Sequence, residues 1–511
     1  MAIAKINSCA LNGLNGYIVN VEIDISSGLP GFDIVGLPDT AVRESKERIR
    51  AAIKNTGLTM PPKRITVNLA PADVKKEGAY FDLPIALGIL LASEQLSFDG
   101  GEETVFMGEL SLDGEIRNVN GVLPMVISAF QSGKKRVFLP ECNQDEASVV
   151  EGMEVYGAES LEEILKILTK QIEKEPKKAD MEKLFSEKTI KNVDFADVKG
   201  QYQVKRAFEI AAAGNHNIIM IGPPGSGKTM IAKRVPTILP DLTFEEALEV
   251  TKIHSISGVL GNNCAMVTQR PFRHPHHTIS AVGLSGGSSN PKPGEISLSH
   301  NGVLFLDELP EFRRDALEVL RQPLEDGIVT ITRASGTFSY PCNVMLVASM
   351  NPCPCGFHGD PTRECSCSET KIQKYVSKIS GPLLDRIDIH IEVPAVSYND
   401  LESKKKEESS ESIKKRVDSA RKIQLERYKG ESIYSNSNLT PELMNKYCAL
   451  SSECNELLKS AFEKLGLSAR AHNRILKVAR TIADLDGAAE IGLSHLAEAV
   501  RYRALDRKFL L

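Results

Sequence analysis

The stretch Gly222-Pro223-Pro224-Gly225-Ser226-Gly227-Lys228-Thr229 constrains this chain more than any other. It directly follows the apolar run Ile218 to Ile221 and directly precedes the helical pattern Met230 to Val235, so strand, glycine loop, Lys-Thr and helix occur in order. A chain with that order must build an α/β unit around it. Glycines let successive backbone N–H groups close around phosphates, and the helix N-terminus adds its positive dipole. Lys228 reaches the outer phosphates and Thr229 offers an oxygen to Mg²⁺. The chemistry is expected to start from a nucleoside triphosphate, with ATP and Mg²⁺ as the ligands.

A second element has to complete such a site, and Val303-Leu304-Phe305-Leu306-Asp307-Glu308 supplies it as a buried-strand run ending in two acids. Asp307 is expected in the Mg²⁺ shell and Glu308 beside the attacking water. Catalysis of phosphoryl transfer is mostly positioning and charge stabilisation, so a polar sensor and a cationic finger are sought next. The strand Val344 to Ser349 leads to Asn351, placed to sense the γ-phosphate. Arg386, in Gly381-Pro382-Leu383-Leu384-Asp385-Arg386-Ile387-Asp388, stands just before another strand and suits a finger reaching a neighbouring subunit. Arg470 opens a helix near the C-terminus and is a further candidate.

A polypeptide of 511 residues exceeds one ordinary core, and about two to four domains are expected. Residues 1–168 alternate strands and helices, with Tyr17 to Ile25 and Arg64 to Leu69 as strands, Ala41 to Asn55 as a helix and Phe81 to Ser93 as a buried helix. Residues 169–192 carry charge of both signs, Pro176 and few apolar side chains, and read as a linker. Residues 193–395 hold the nucleotide machinery, whose strands each lead into a loop or helix, as in a mostly parallel sheet. Residues 396–511 are helical: Ile413, Val417 and Ala420 share one face, Ile475, Val478, Ala479 and Ile482 a second, and Leu493, Leu496, Ala497 and Val500 a third.

A net charge of −5 gives no overall basic signature, so any nucleic-acid contact must be local. No basic-then-apolar signal segment opens the chain, and the longest apolar run, Leu83 to Ala92, contains Pro84 and is too short to span a bilayer. A cytoplasmic protein is expected. Its ten cysteines then read as thiols or metal ligands rather than a disulfide framework. Cys353, Cys355, Cys365 and Cys367 form C-x-C-x9-C-x-C, four thiolates able to wrap one tetrahedral Zn²⁺, with His358 as a replacement ligand and free thiols or a redox pair as the alternatives. His274, His276 and His277 are interrupted by Pro275 and lack a carboxylate partner, which favours a loop role over a second metal site.

Taken together, these residues resemble an AAA+ ATPase of the Mg-chelatase-like clade. Over nearly the full length the chain resembles the ComM/YifB family of bacterial proteins, through Arg270-Pro271-Phe272-Arg273-His274-Pro275-His276-His277-Thr278, Asn351-Pro352-Cys353-Pro354-Cys355-Gly356, Ser380 to Asp388 and Gly36-Leu37-Pro38-Asp39. The resemblance implies a homo-hexameric ring. It also implies an ATP-driven helicase that promotes branch migration when incoming DNA is integrated. The Gly/Ser/Pro loop Ser285 to Gly294 resembles the helix-2 insert of this clade, and Ile328 to Tyr340 alternates about a turn at Ser335-Gly336 as a hairpin does. Lys292 and Arg333 sit near the two tips, where six copies would contact single-stranded or branched DNA in a pore.

The N-terminal stretches Phe106 to Gly114 and Arg136 to Pro140 look like the proteolytic domain of the Lon family, which implies a ribosomal-protein-S5-domain-2-like α/β fold. Aligning Glu77 to Asp82 with the nucleophile segment of that family puts Tyr80 at the serine and Leu123 at the lysine. A Ser-Lys dyad needs a hydroxyl within reach of an amine of depressed pKa, and neither position offers it. Peptidase activity is not expected. The architecture anticipated is an α/β multidomain chain: a Lon-protease-like domain, a central AAA+ P-loop domain and a C-terminal helical lid. The rival to a DNA motor is an ATP-driven machine that remodels a protein partner, as the Mg-chelatase ATPase subunit does.

Overall fold

The computed structural model describes residues 3–186, 193–261, 263–287, 291–333, 336–361, 363–396, 398–402, 407–431 and 433–503. It divides into two compact units. The described residues of the first fall within Met1–Lys188 and Phe244–Thr268, and those of the second within Thr189–Thr243 and Gln269–Leu511. Among the described residues no helix is long and apolar enough to cross a membrane.

The first unit is built on a seven-stranded mixed sheet. Strands β1 (Ala4–Asn12) and β2 (Asn15–Ser26) form a hairpin, turned at Asn12-Gly13 where Gly13 takes φ 63°. Strand β4 (Arg64–Ala70) pairs antiparallel with β2, and β3 (Gly31–Val35) pairs parallel with β4 at the sheet edge. The strands β5 (Thr104–Phe106), β8 (Arg136–Pro140) and β9 (Glu154–Ala158) continue it in parallel on the other side of β1, while β6 (Glu109–Leu110) and β7 (Ile116–Arg117) pair separately. Alternation along β2 sends Val19, Val21 and Ile23 into the core. Helix α1 (Thr40–Asn55) starts at Asp39, whose side chain accepts from the Val42 N–H at 2.8 Å. Helix α2 (Asp82–Ala92) is apolar on every side and is buried from Asp82 to Leu90. Its one charge, Asp82, accepts from Arg48 Nε at 2.6 Å and Nη2 at 3.0 Å, and burial pushes its carboxyl up to about 6.

Residues 244–268, inside the stretch read as nucleotide machinery, pack into this first unit. The helix Phe244–Ser257 lies against α3 (Val122–Gln131). Ser255 is the fastening: its carbonyl accepts from the Gly121 N–H at 3.1 Å and its hydroxyl donates to buried Glu146, which also accepts from the Leu123 N–H at 2.8 Å.

The second unit carries a five-stranded sheet in the order β11-β12-β15-β10-β16, all parallel, with β10 (Ile218–Ile221), β11 (Phe272–Arg273), β12 (Val303–Leu306), β15 (Met345–Met350) and β16 (Ile389–Glu392). The four long strands coincide with the apolar runs of the sequence. Both faces are covered, so they read as continuous hydrophobic runs rather than alternating ones. A hairpin of β13 (Ile328–Arg333) and β14 (Gly336–Pro341) precedes β15, and Ser335 of its anticipated turn lies outside the described residues.

The C-terminal helices Ser410–Arg427, Ala469–Leu485 and Leu493–Arg501 join the core of this unit: the first two bury the stripes visible in the sequence, Ile413, Val417, Ala420 and Ile475, Val478, Ala479, Ile482, whereas the third buries Leu496 and Ala499 and leaves the expected Leu493 and Ala497 exposed, with Val500 half-buried. Beneath them Asp484 is fully buried and accepts from Arg427 Nη1 at 2.8 Å, Arg480 Nε at 3.2 Å and Asn436 Nδ2 at 2.8 Å.

Candidate functional site

The order of the five-stranded sheet decides what meets at its carboxyl edge. Strand β15 lies between β10 and β12, so the residue that follows it falls between the glycine loop and the acid pair. The loop departs at Gly222, whose N–H donates to Met350 O at 3.2 Å. A Cβ on Gly222 would stand 2.1 Å from the Val393 carbonyl oxygen, so only glycine fits there. Gly225 and Gly227 adopt φ of 78° and 88°, which wraps the backbone before the helix Lys228–Ala232. Gln201 steadies the outer side, its Nε2 donating to Ser226 O at 3.0 Å and Pro394 O at 3.1 Å. Pro223 and Pro224 restrict the start of the loop.

Lys228 folds back onto its own loop. Its Nζ donates to Gly222 O at 2.8 Å, Pro223 O at 2.9 Å and Asn351 Oδ1 at 3.2 Å. Burial lowers this ammonium to about 8, against the pull of Asp307 and Glu308. Next to it the Thr229 hydroxyl donates to Asp307 Oδ2 at 2.6 Å. The other oxygen of Asp307 accepts from the Ser349 hydroxyl and from the Glu308 N–H at 3.1 Å. Glu308 has left-handed backbone, φ 54°, which turns its side chain away from the strand. Its carboxylate lies 3.6 Å from His277 Nδ1. Lys228, Thr229, Asp307, Glu308 and Asn351, spread over more than a hundred positions in sequence, therefore share one edge.

Two residues without an expected role in the site belong to this edge. Ser349 is the last but one residue of β15, and nothing in an apolar run says that its hydroxyl turns toward Asp307. His277 was read only as part of a loop, although its place shortly after β11, the strand beside β12, puts it next to Glu308. The His274 ring meets Phe305 at an interplanar angle of 38°, with ring centroids 4.7 Å apart. Among the described residues the histidine run forms no metal-ligating group.

Arg386 and Arg470 stand elsewhere. Arg386 precedes β16, at the amino edge of the sheet, and both arginines line a cavity of about 400 Å³ with Arg474 and Lys477. Arg386 is buried, paired to Glu325 and donating from Nη1 to Pro382 O at 2.8 Å, while its Nε has no partner among the described residues. Arg470 is exposed, with Nη1 3.8 Å from Asp385 Oδ2. Neither approaches the glycine loop of its own chain.

Beyond Asn351 the four cysteines gather. Sγ–Sγ separations are 3.3 Å for Cys353–Cys355, 3.7 Å for Cys353–Cys365 and 3.6 Å for Cys355–Cys365, and all four ligand atoms, Cys367 included, lie within 4.8 Å of one another. A tetrahedron of Zn–S bonds near 2.3 Å has edges of about 3.8 Å, so the donor set fits one Zn²⁺. The N–H of Phe357 lowers the Cys355 thiol, while the neighbouring thiols raise those of Cys365 and Cys367. His358 is not part of the group.

Lys292 and Arg333 are exposed, and each borders Gly287. The Gly287 N–H donates to Lys292 O at 3.0 Å, a Cβ on Gly287 would meet Arg333 Nη2 at 2.8 Å, and Tyr340 Oη donates to Pro291 O at 2.8 Å. Residues 288–290 of the Ser285–Gly294 loop lie outside the described residues. In the first unit Leu123 is fully buried, and the Tyr80 phenol is pushed up by burial.

Comparisons with known proteins fit this geometry. Residues 194–401 match the family model described as magnesium chelatase, subunit ChlI; residues 21–143 match that of subunit ChlI of Mg-chelatase, and residues 407–503 that of its C-terminal region. The competence protein ComM of Haemophilus influenzae is 44% identical over 515 residues, covering 99% of this chain and 98% of that protein. The YifB protein of Escherichia coli is 43% identical over 509 residues, with the same coverage of 99% and 98%. Lon protease 2 of Bacillus subtilis is 25% identical over 179 residues, 31% of this chain and 32% of that protein. With two relatives matched from end to end, and a glycine loop, acid pair and polar strand end meeting on one parallel sheet, the chain belongs to the ComM/YifB family of Mg-chelatase-like AAA+ ATPases.

Proposed function

We propose that this protein is an ATP-hydrolysing hexameric motor that moves DNA, and that it drives branch migration. The reading rests on one observation above the others: Lys228, bonded to Asn351, and Thr229, bonded to Asp307, converge at the carboxyl edge of one sheet. In this reading Lys228 binds the outer phosphates, Asn351 orients them, and Glu308 takes the proton of the attacking water. Thr229 and Asp307 hold Mg²⁺, which supplies neutralisation of phosphate charge when bound. Arg386 acts on the nucleotide of the adjacent subunit, with Arg470 beside it, because both stand at the opposite edge from their own glycine loop. Residues 1–168 act as a Lon-like domain without peptidase chemistry, 193–395 as the AAA+ core and 396–511 as the helical lid.

DNA as the substrate is supported by the name of the Haemophilus relative, a competence protein, and by the exposure of Lys292 and Arg333 on segments that both meet Gly287. Exposed cations repeated around a ring bind a phosphate backbone without a basic overall charge, and such binding weakens steeply with salt. The magnesium-chelatase match favours a second reading, a motor that remodels a protein partner. Turnover of ATP with and without single-stranded or four-way-junction DNA separates the two. Stimulation by DNA, with junction migration that Lys228→Ala abolishes, is the expected result. Glu308→Gln retains nucleotide while losing hydrolysis. DNA that binds without altering the rate of ATP consumption refutes the motor on DNA.

A further inference from the structure

The segment that carries the four cysteines is joined to the glycine loop at three points. Strand β15 ends at Met350, whose carbonyl accepts from the Gly222 N–H at 3.2 Å. The next residue, Asn351, accepts from Lys228 Nζ at 3.2 Å. Cys353 follows two positions later and is fully buried. The third point is a direct backing of one loop by the other. Gly356, between the ligand Cys355 and Phe357, has φ +87°, and a Cβ there would lie 2.4 Å from Pro224 Cδ and 2.7 Å from Pro224 Cγ. Left-handed backbone and close approach both exclude a side chain at this position. The cysteine loop therefore rests on the second proline of the phosphate cradle.

Between β15 and the helix Glu369–Val376 the described backbone has no helix or strand of its own. Few apolar side chains are available to hold it, and a crosslink by four thiolates is the strongest constraint the sequence provides there. A divalent soft cation bound by Cys353, Cys355, Cys365 and Cys367 fixes Gly356 on Pro224 and fixes the exit of Asn351 toward Lys228. Without it, the same contacts hold only when the loop happens to be folded, and a ligand that needs them binds in proportion to that population.

We infer that the four-thiolate centre is a metal-operated control on the nucleotide site: Zn²⁺ bound there organises the glycine loop from behind and raises its affinity for the triphosphate. This rests on the proposed reading of Lys228 to Thr229 as the ATP site, and adds its regulation by metal supply. Coupling between two ligands is reciprocal, so nucleotide holds the metal as firmly as metal holds the nucleotide.

The test uses the full-length protein and a fluorescent non-hydrolysable ATP analogue, with zinc content measured on the same samples. As-purified protein is expected to carry about one zinc per chain, and chelation to weaken the analogue by about tenfold or more, a typical coupling. Added Zn²⁺ restores it. Saturating analogue slows zinc transfer to a chromogenic chelator. Two variants separate the coupling from damage to the fold. Cys365→Ser removes a ligand on the far arm of the loop and reproduces the chelated protein, whereas Gly356→Ala keeps zinc but loses affinity, because the added methyl displaces Pro224. Circular dichroism melts establish that each variant is folded. Equal affinity in folded protein with and without metal overturns the inference, as does a protein that takes up no zinc. If metal-loaded protein fails to bind the analogue at all, it is the ATP reading that falls.

Discussion

Lys228 holds its charge against the tendency of its surroundings. Its ammonium is mostly buried, donates to two carbonyls of its own loop, and has been lowered from the ordinary 10.5 to about 8. The unfolded chain keeps the higher value, so between about pH 8 and 10.5 it binds more protons than the ligand-free fold, and rising pH in that window stabilises the empty protein. Phosphate binding has the opposite sign. It needs the ammonium, which is present below about pH 8 and must be restored at a cost above it. The affinity for a non-hydrolysable triphosphate is therefore expected to be flat from pH 7 to 8 and then to fall by about tenfold per pH unit. Fluorescence titrations at fixed ionic strength check this, and a flat profile to pH 9.5 refutes the assignment. The sequence made Lys228, Thr229, Asp307, Glu308 and Asn351 legible because strand, loop and acid each carry a local signal. Ser349 and His277 were illegible, since which hydroxyl or imidazole turns toward a carboxylate depends on strand order and not on spacing.

Helix faces were visible in the sequence, but not what they face. The stripes Ile413–Val417–Ala420 and Ile475–Val478–Ala479–Ile482 are buried together as anticipated, whereas the helix Phe244–Ser257 gave no hint that it packs on α3 in the first unit. Amphipathicity states that one side is covered, and leaves the covering surface open. Between the C-terminal helices the decisive group is polar. Asp484 joins Ser410–Arg427 to Ala469–Leu485 by accepting from Arg427 and Arg480, the latter only 2% exposed and further tied to Ala488 O and Ala489 O. Asp484→Ala leaves two neighbouring guanidinium groups without a carboxylate, and loss of one member of a buried charge network costs about 3–5 kcal/mol. Urea unfolding of the full chain is expected to show a lower midpoint for the phase that reports these helices, with Asp484→Asn intermediate because it keeps acceptor atoms. An unchanged midpoint shows that solvent replaces the carboxylate freely.

At the scale of the whole molecule the placement of Arg386 carries the argument. It stands before the amino end of β16, which runs parallel to β10 in the register Ile218↔Ile389 to Ile221↔Glu392, while the phosphate loop begins after the carboxyl end of β10. A strand of four residues spans about 13 Å, and the arginine is further held by Glu325 and by Pro382 O. The glycine loop of its own chain begins at the opposite edge of the sheet, and among the described residues its Nε has no partner. In the ring proposed above, an arginine so placed would serve the site of an adjacent copy through a head-to-tail contact. Complementation tests this directly. Lys228→Ala and Arg386→Ala proteins are each expected to hydrolyse almost no ATP alone. Mixed in equal amounts and allowed to exchange subunits with DNA present, they bring the intact loop of an Arg386→Ala subunit against the intact arginine of a Lys228→Ala subunit. Random assembly in a cyclic ring produces that pairing at about one contact in four, so turnover recovers toward a quarter of the unmodified rate. A finger acting within its own chain gives no recovery in any mixture, because every subunit then carries one broken half of its site.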